Sequence, residues 1–206
     1  MSRFVITGTD TDIGKTVFAA GLAGMLGANY WKPIQAGLDG KTDSELVCEL
    51  GVASERIVPE AYRLTTPCSP HEAAKIDGVT ADPALLKPPL PSEKLVVEGA
   101  GGVLVPVTPE LLYADLFAEW QIPVILVAST RLGTINHSLL SIEALVRRRV
   151  PLCGIAFIGD ANEETETTIC RFGQARRLGR LPFLAKLDAE HLRAAFSASF
   201  DPTDFA

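Results

Sequence analysis

Phe4-Val5-Ile6-Thr7-Gly8-Thr9-Asp10-Thr11-Asp12-Ile13-Gly14-Lys15-Thr16-Val17-Phe18-Ala19-Ala20 decides the fold of this chain. The short apolar run Phe4–Thr7 has the length of a buried strand, and residues 15–27, rich in Ala, Gly and Leu, have the length and composition of a helix. Between them lies a Gly/Thr/Asp loop ending in Gly-Lys-Thr. Gly14 allows a phosphate close to the backbone. The helix start adds unpaired N–H groups and the positive end of a dipole. Lys15 can reach outer phosphates, and the Thr16 hydroxyl can reach Mg²⁺. The usual spacing puts four residues between a first glycine and Gly-Lys-[Ser/Thr]; here Thr9, five before Gly14, holds the first glycine's place and Gly8 lies one earlier. A chance lysine in a Gly/Thr-rich turn is the plainer alternative. The strand–loop–helix context favours a nucleotide phosphate loop.

Working outward, strand-length apolar runs recur at 30–34, 94–98, 123–128 and 152–158. They are nearly continuous in apolar residues, the pattern of strands covered on both faces. Helix-period stripes separate them: Leu112, Leu116 and Trp120 within 108–120, and Ile135, Leu139, Ile142 and Val146 within 134–147. Thr108 and Thr134 are the predicted N-caps. The alternation predicts a doubly wound α/β fold, a mainly parallel sheet with helices on both faces. The Pro-rich stretch 78–93 is read as a surface connection within a single domain spanning 1–206. The tail from Phe196 is expected to be loosely structured. Arg147-Arg148-Arg149 ends a helix, where cations suit the dipole, and is read as a solvated terminus.

The 206 residues are 47% hydrophobic and 21% charged, which excludes a disordered chain. The formal charge of −6 argues against a general nucleic-acid or anionic-membrane partner. No apolar run reaches the roughly 18–20 residues of a membrane span, and the N-terminus lacks a signal-peptide pattern. Cys48, Cys68, Cys153 and Cys170 form no C-x-x-C pair. They are expected to be buried, inert, reduced thiols of a cytoplasmic protein.

Three further charged residues fall at element ends. Lys32 lies at the end of the second strand run, and C-terminal strand ends face the ligand crevice in open α/β sheets. A lone lysine there more often snorkels; its place beside the loop favours pairing with Lys15 around one phosphate, where two cations stabilise a transferring phosphoryl group. Asp43 begins a predicted helix. It is either an ordinary N-terminal acid or a site residue. Glu98 ends the third apolar run, where an unpaired acid is costly and where phosphate-loop enzymes carry the acid that meets Mg²⁺. Gly99, Gly101 and Gly102 after it permit close backbone approach.

The motifs Gly-Thr-Asp-Thr-Asp-Ile-Gly-Lys-Thr (8–16), Lys-Pro (32–33), Thr-Asp (42–43), Ser-Pro-His (69–71), Val-Glu-Gly-Ala-Gly-Gly (97–102), Leu-Gly-Thr-Ile-Asn-His (132–137) and Leu-Pro-Phe-Leu-Ala (181–185) occur in one order. In that order the chain resembles the dethiobiotin synthetases, ligases of the P-loop NTPase type, over most of residues 3–195. The resemblance implies ATP- and Mg²⁺-dependent ring closure of 7,8-diaminopelargonic acid with CO₂, through a carbamate and a carbamic-phosphoric anhydride, to dethiobiotin, ADP and phosphate. It implies Lys15 and Lys32 as catalytic residues and Thr16, Asp43 and Glu98 around the metal. Nucleotide contacts would come from Asp12, Ile13, Gly14, Lys15, Thr16, Val17, Asp43, Glu98, Gly99, Ala100, Gly101, Pro182, Phe183 and Leu184. Substrate contacts would come from Thr11, Lys32, Gln35, Ala36, Gly133, Thr134 and Asn136. The family's substrate lies at a homodimer interface, so a homodimer is expected.

The chain departs from the family in three places. Ala36 stands where a hydroxyl residue is common. The fifth strand ends Ile158-Gly159-Asp160, without the Asn that reads the adenine edge, which puts base selectivity in doubt. The connection between the first helix and second strand is short. His71 is read as structural, with Ser69 as N-cap and Pro70 as first helical residue. A regulatory ATPase switch is the competing reading; such proteins usually carry an additional lysine early in the loop, where this chain has Asp10 and Thr11. A corrinoid-type amidoligase needs a further glutaminase domain for which 206 residues leave no space.

Overall fold

Alternating side chains divide the central strands between two hydrophobic layers. The computed structural model describes residues 2–89 and 93–206. In chain order it contains β1 (Ser2–Gly8), α1 (Lys15–Leu26), β2 (Asn29–Trp31), β3 (Ile34–Ala36), α2 (Asp43–Glu49), β4 (Ile57–Val58), β5 (Tyr62–Leu64), α3 (Pro70–Ile76) and β6 (Lys94–Gly102). Then follow α4 (Tyr113–Trp120), β7 (Val124–Ser129), α5 (Thr134–Arg147), β8 (Leu152–Ile158), α6 (Glu163–Gly173), β9 (Arg177–Leu181) and α7 (Ala189–Ser199). Seven strands form one sheet in the order β4-β2-β6-β1-β7-β8-β9, and every pairing is parallel. On β1, β7 and β8, Val5, Leu126 and Phe157 point into the layer under α3–α6, while Ile6, Val127 and Ile158 point into the layer under α1, α2 and α7. The sheet is therefore wound on both faces, as the continuous apolar runs predict.

Helix α1 starts at Gly14 (φ 93°) and ends at Gly27 (φ 59°), left-handed conformations suited to glycine. Its Phe18, Ala19, Ala20, Leu22 and Ala23 are buried against the sheet. Gly21 lets α7 approach: a Cβ there would lie 2.2 Å from the Phe196 ring.

Several boundaries differ from the sequence reading. The strand expected at 30–34 breaks at Lys32-Pro33, because proline has no N–H to donate; Ile34–Ala36 instead pairs with β5 in a separate two-stranded sheet. The run expected at 94–98 continues to Gly102, so Glu98 stands within β6. Helix α4 begins at Tyr113, because residues 106–112 form a reversed loop in which Val107 N and Thr108 N both donate to the Leu111 carbonyl. Gly133, at φ 94°, caps α5, and the Thr134 hydroxyl donates to the Ser129 carbonyl at 2.7 Å. The connection at 78–93 carries a 3-10 turn at Pro83–Leu85 and is pinned by fully buried Leu86; its residues 90–92 lie outside the described residues.

The tail is also corrected. Residues from Phe196 are ordered by aromatic packing: Phe196, Phe200 and Phe205 are buried, with Phe205 edge-on to Phe4 and Phe196 against Phe18. Cys48 and Cys68 are exposed, which corrects the expectation that all four cysteines are buried; Cys153 and Cys170 are half-buried, and burial raises both thiol pKa values. Among the described residues, no helix is long and apolar enough to cross a membrane.

Candidate active site

The C-terminal ends of β1, β2, β7, β8 and β9 open on one edge of the sheet, and Glu98 reaches the same edge from within β6. In the loop after β1, Asp12 is left-handed at φ 55° and Gly14 at φ 93°. Among non-glycine residues a positive φ is uncommon, and Asp adopts it more readily than most. Lys15, on the first turn of α1, is 6% exposed, and its Nζ donates to the Asp10 carbonyl at 2.6 Å. Burial lowers its pKa to about 8, only partly opposed by Glu98, with Lys32 lowering it further.

Lys32 sits at the centre of the charged cluster. It is 4% exposed, and its Nζ lies 2.8 Å from Asp43 Oδ2 and 2.9 Å from Glu98 Oε1. It also donates to the Gly99 carbonyl at 3.2 Å. Burial alone would lower its pKa, but the Glu98 and Asp43 carboxylates outweigh burial and hold the ammonium above its ordinary value. In turn Lys32 overcomes the burial of Asp43 and lowers that carboxyl pKa.

Local structure explains the convergence. Thr42 caps α2 in a reciprocal box: Glu45 N donates to Thr42 Oγ1 at 3.3 Å, and Thr42 N donates to Glu45 Oε2 at 2.8 Å. This holds Asp43 in the first helical turn. Gln35 Oε1 accepts from Asp43 N at 3.2 Å, and Gln35 Nε2 donates to the Ala36 and Gly37 carbonyls. The Gln35 amide is thus engaged by the chain's own backbone while the residue lines the cavity.

Thr16 Oγ1 lies 2.9 Å from both Asp43 Oδ1 and Glu98 Oε1. One hydroxyl has one proton to donate, so it cannot satisfy both carboxylates at once. An arrangement of a hydroxyl and two carboxylate oxygens fits a hard divalent cation, and Mg²⁺ commonly uses one or two carboxylates with phosphate and water oxygens. Among the described residues no group of three or more His, Cys, Asp or Glu side chains is placed to hold a metal; a cation here would need the Thr16 hydroxyl beside Asp43 and Glu98.

Two adjoining cavities share the loop. One, of about 750 Å³, holds Thr11, Lys15, Thr16, Lys32, Gln35, Ala36, Asp43, Glu98, Ala100 and Gly101. The other, of about 520 Å³, runs past Ile13 and Val17 to Ile158, Pro182, Phe183 and Leu184. Both have the size of small-molecule sites, and Asp12 and Gly14 line both. The structure therefore gathers most of the expected residues. Gly99 contributes its carbonyl to Lys32. Thr134 lines the second cavity, with its hydroxyl engaged by Ser129. Gly133 and Asn136 are exposed and line neither cavity.

Sequence reasoning missed Arg131, whose guanidinium lies 5.5 Å from the Phe183 ring centroid, and the 67–70 segment bordering the larger cavity. Ser69 is the N-cap residue of α3; its hydroxyl lies 3.0 Å from His71 Nδ1, and Pro70 is the first helical residue. It also missed Tyr30, whose hydroxyl donates to Glu98 Oε2 at 2.8 Å. A tyrosine in an apolar strand carries no signal of its own; only strand pairing reveals the contact. Asn162, the nearest Asn after β8, caps α6 by accepting from Thr165 N and donates to the Thr130 carbonyl.

A parallel sheet wound on both faces, with a phosphate loop between β1 and α1 and acids from β6 and α2 beside it, defines the phosphate-loop NTPases. The model of the family described as "AAA domain" matches residues 2–191. The fold is shared with a ParA family ATPase from Chlorobium tepidum (TM-score 0.53, 10% identity, 97% of this chain and 90% of that one). It is also shared with a MinC:MinD cell division complex from Aquifex aeolicus (TM-score 0.50, 15% identity, 95% and 86%). Much nearer in sequence is an ATP-dependent dethiobiotin synthetase from Sphingopyxis alaskensis, 61% identical over 205 residues with 100% of each chain covered. Another, from Rhodopseudomonas palustris, is 60% identical over 204 residues with 98% of each covered. The chain belongs to the ATP-dependent dethiobiotin synthetase family.

Proposed function

We propose that this protein catalyses the ATP- and Mg²⁺-dependent closure of 7,8-diaminopelargonic acid and CO₂ to dethiobiotin, ADP and phosphate in biotin biosynthesis. One observation carries the mechanism: a buried lysine, Lys32, held between Asp43 and Glu98 at 2.8 and 2.9 Å, beside Thr16 and the loop lysine. One substrate amine adds to CO₂ and loses a proton, giving a carbamate. A carbamate oxygen takes the γ-phosphoryl group of ATP, releasing ADP. The second amine attacks the carbonyl carbon of that anhydride; the new C–N bond closes the ureido ring, the C–O bond breaks with its electron pair going to the departing phosphate, and the amine gives up a proton to phosphate or solvent.

Such a sequence needs no nucleophilic side chain. It needs reactants in line and charge stabilised as it moves. Backbone N–H groups of residues 12–16 and the Lys15 ammonium meet the ATP phosphates. Lys32, fixed by two carboxylates, faces the carbamate and the transferring phosphoryl group. Thr16, Asp43 and Glu98 would hold Mg²⁺, which when bound neutralises phosphate charge. The nucleoside lies along Pro182, Phe183 and Leu184, whose cavity continues directly from the loop.

The substrate's far carboxylate falls to Gly133, Thr134 and Asn136 of a second copy. In support, Leu132 is fully exposed beside partly exposed Ile135 and Leu140, an apolar rim at the start of α5 suited to a homodimer. The four free cysteines suit a reducing cytoplasm.

The test is phosphate release from Mg·ATP with and without the diamine and bicarbonate. Release that requires both is the expected result. Equal release without the diamine would overturn the ligase reading and favour a switch ATPase.

A further inference from the structure

Glu98 has two oxygens with different surroundings. Oε1 faces Thr16 and Lys32, at 2.9 Å each. Oε2 faces away from them, and among the described residues its hydrogen-bond partner is the Tyr30 hydroxyl at 2.8 Å. Tyr30 is 0% exposed and Glu98 1%, so this contact is closed to bulk solvent.

Strand register explains the reach. Tyr30 on β2 pairs with Val96 on β6. Val96 and Glu98 are two apart, so their side chains leave the same face of the sheet. Tyr30 and Val96 both pack into the layer beneath α1. The ring extends along that face by about one two-residue step, and its hydroxyl meets the carboxylate. A phenylalanine would fill the same core space and leave Oε2 buried without a donor.

We propose that Tyr30 is a positioning residue for the metal: its hydroxyl fixes the far oxygen of Glu98 so that the near oxygen is presented to Thr16, Lys32 and Mg²⁺. This rests on the reading of Glu98 as a metal ligand. Partners that orient a ligating carboxylate commonly change metal affinity by about 10–100-fold when removed. A single neutral donor on a carboxylate that Thr16 and Lys32 also hold falls at the low end of that range.

The test uses the full chain with ADP and reads Mn²⁺ binding from the loss of the free-ion resonance signal, alongside Mg²⁺ titrations of phosphate release. Tyr30→Phe is expected to weaken Mn²⁺ about tenfold and to raise the Mg²⁺ concentration for half-maximal activity to match. Its metal-free ADP affinity and its KM for the diamine stay at parental values. Glu98→Gln is expected to weaken Mn²⁺ at least as much, and adding Tyr30→Phe to it changes nothing further. Val96→Ala, which loosens the same core without touching the carboxylate, keeps parental Mn²⁺ affinity.

Parental Mn²⁺ affinity in Tyr30→Phe, with Glu98→Gln weakened, would show that Tyr30 only fills the core. Equal weakening in Val96→Ala would overturn the proposal in the same way. Parental affinity in Glu98→Gln would overturn the metal reading of Glu98, and the role of Tyr30 with it.

Discussion

Lys32→Met removes one charge and keeps most of the side-chain volume. In the parent, the ammonium is shared between Asp43 at 2.8 Å and Glu98 at 2.9 Å, with Glu98 only 1% exposed. Deleting one member of a buried ion pair leaves the other uncompensated and costs roughly 3–5 kcal/mol. Asp43 is partly open to water and adds little to that figure. At a few degrees per kcal/mol for a chain of this size, the melting temperature should fall by roughly 6–20 °C. The activity loss is separate. Removing one preorganised charge from a transferring group commonly costs about 10²–10³ in kcat. Lys15 still serves the loop, so ADP affinity should change by less than about tenfold, one pair's worth of 1.4 kcal/mol. The assay pairs calorimetric melting of the nucleotide-free protein with steady-state phosphate release. The melting gap should narrow with Mg²⁺ and ADP, since a divalent cation near Thr16 returns positive charge to Glu98. A melting temperature within 2 °C of the parent, on the scale of under ~1 kcal/mol, would refute the buried-pair reasoning. A kcat within about tenfold would refute the role of Lys32 in phosphoryl transfer.

Phe205→Ala removes a fully buried ring packed on Phe4 and Phe200 and should cost about 3–5 kcal/mol in denaturant titrations; a change under ~1 kcal/mol would mean the tail contributes little. Gly159→Ala places a methyl 2.5 Å from Thr130 Oγ1 at φ 131°, and should destabilise by about 1–3 kcal/mol and raise the KM for ATP. Where the nucleoside is proposed to lie, the cavity presents the Phe183 ring, and Asn162, outside that lining, is already occupied in capping α6. ATP, GTP, CTP and UTP should therefore support turnover with kcat/KM values within about tenfold, a difference below ~1.4 kcal/mol; a preference for ATP beyond about a hundredfold would mean backbone groups read the base edge.

Much of the site is legible as local pattern. Gly14, Lys15 and Thr16 are contiguous, and the loop needs only the strand before it and the helix after it. Asp43 is marked by the Thr42 cap and Glu45 three residues later, a box the structure contains. Glu98 stands out as an acid after Leu95-Val96-Val97. Ion-pair geometry was not legible. Lys32 and Asp43 are 11 positions apart and Glu98 a further 55 along the chain, and only the placement of β2 beside β6 and of α2 above them brings the three together. Short β4 and β5 carry too few residues for a period to register. The tail misled because the partners that bury its aromatic residues, Phe4 and Phe18, are distant in sequence, although Leu192, Phe196 and Phe200 do fall at helical spacing.

Sequence alone determined the phosphate loop, the parallel doubly wound plan and the identity of the charged residues, because each is written in neighbouring residues or in a strand-length period. Tertiary structure decided which oxygen of Glu98 faces Lys32, that Gln35 binds its own backbone and that Tyr30 completes the acid's hydrogen bonds. Those facts depend on strand register and on side-chain reach of a few ångströms across the sheet, and no local run of residues encodes either one.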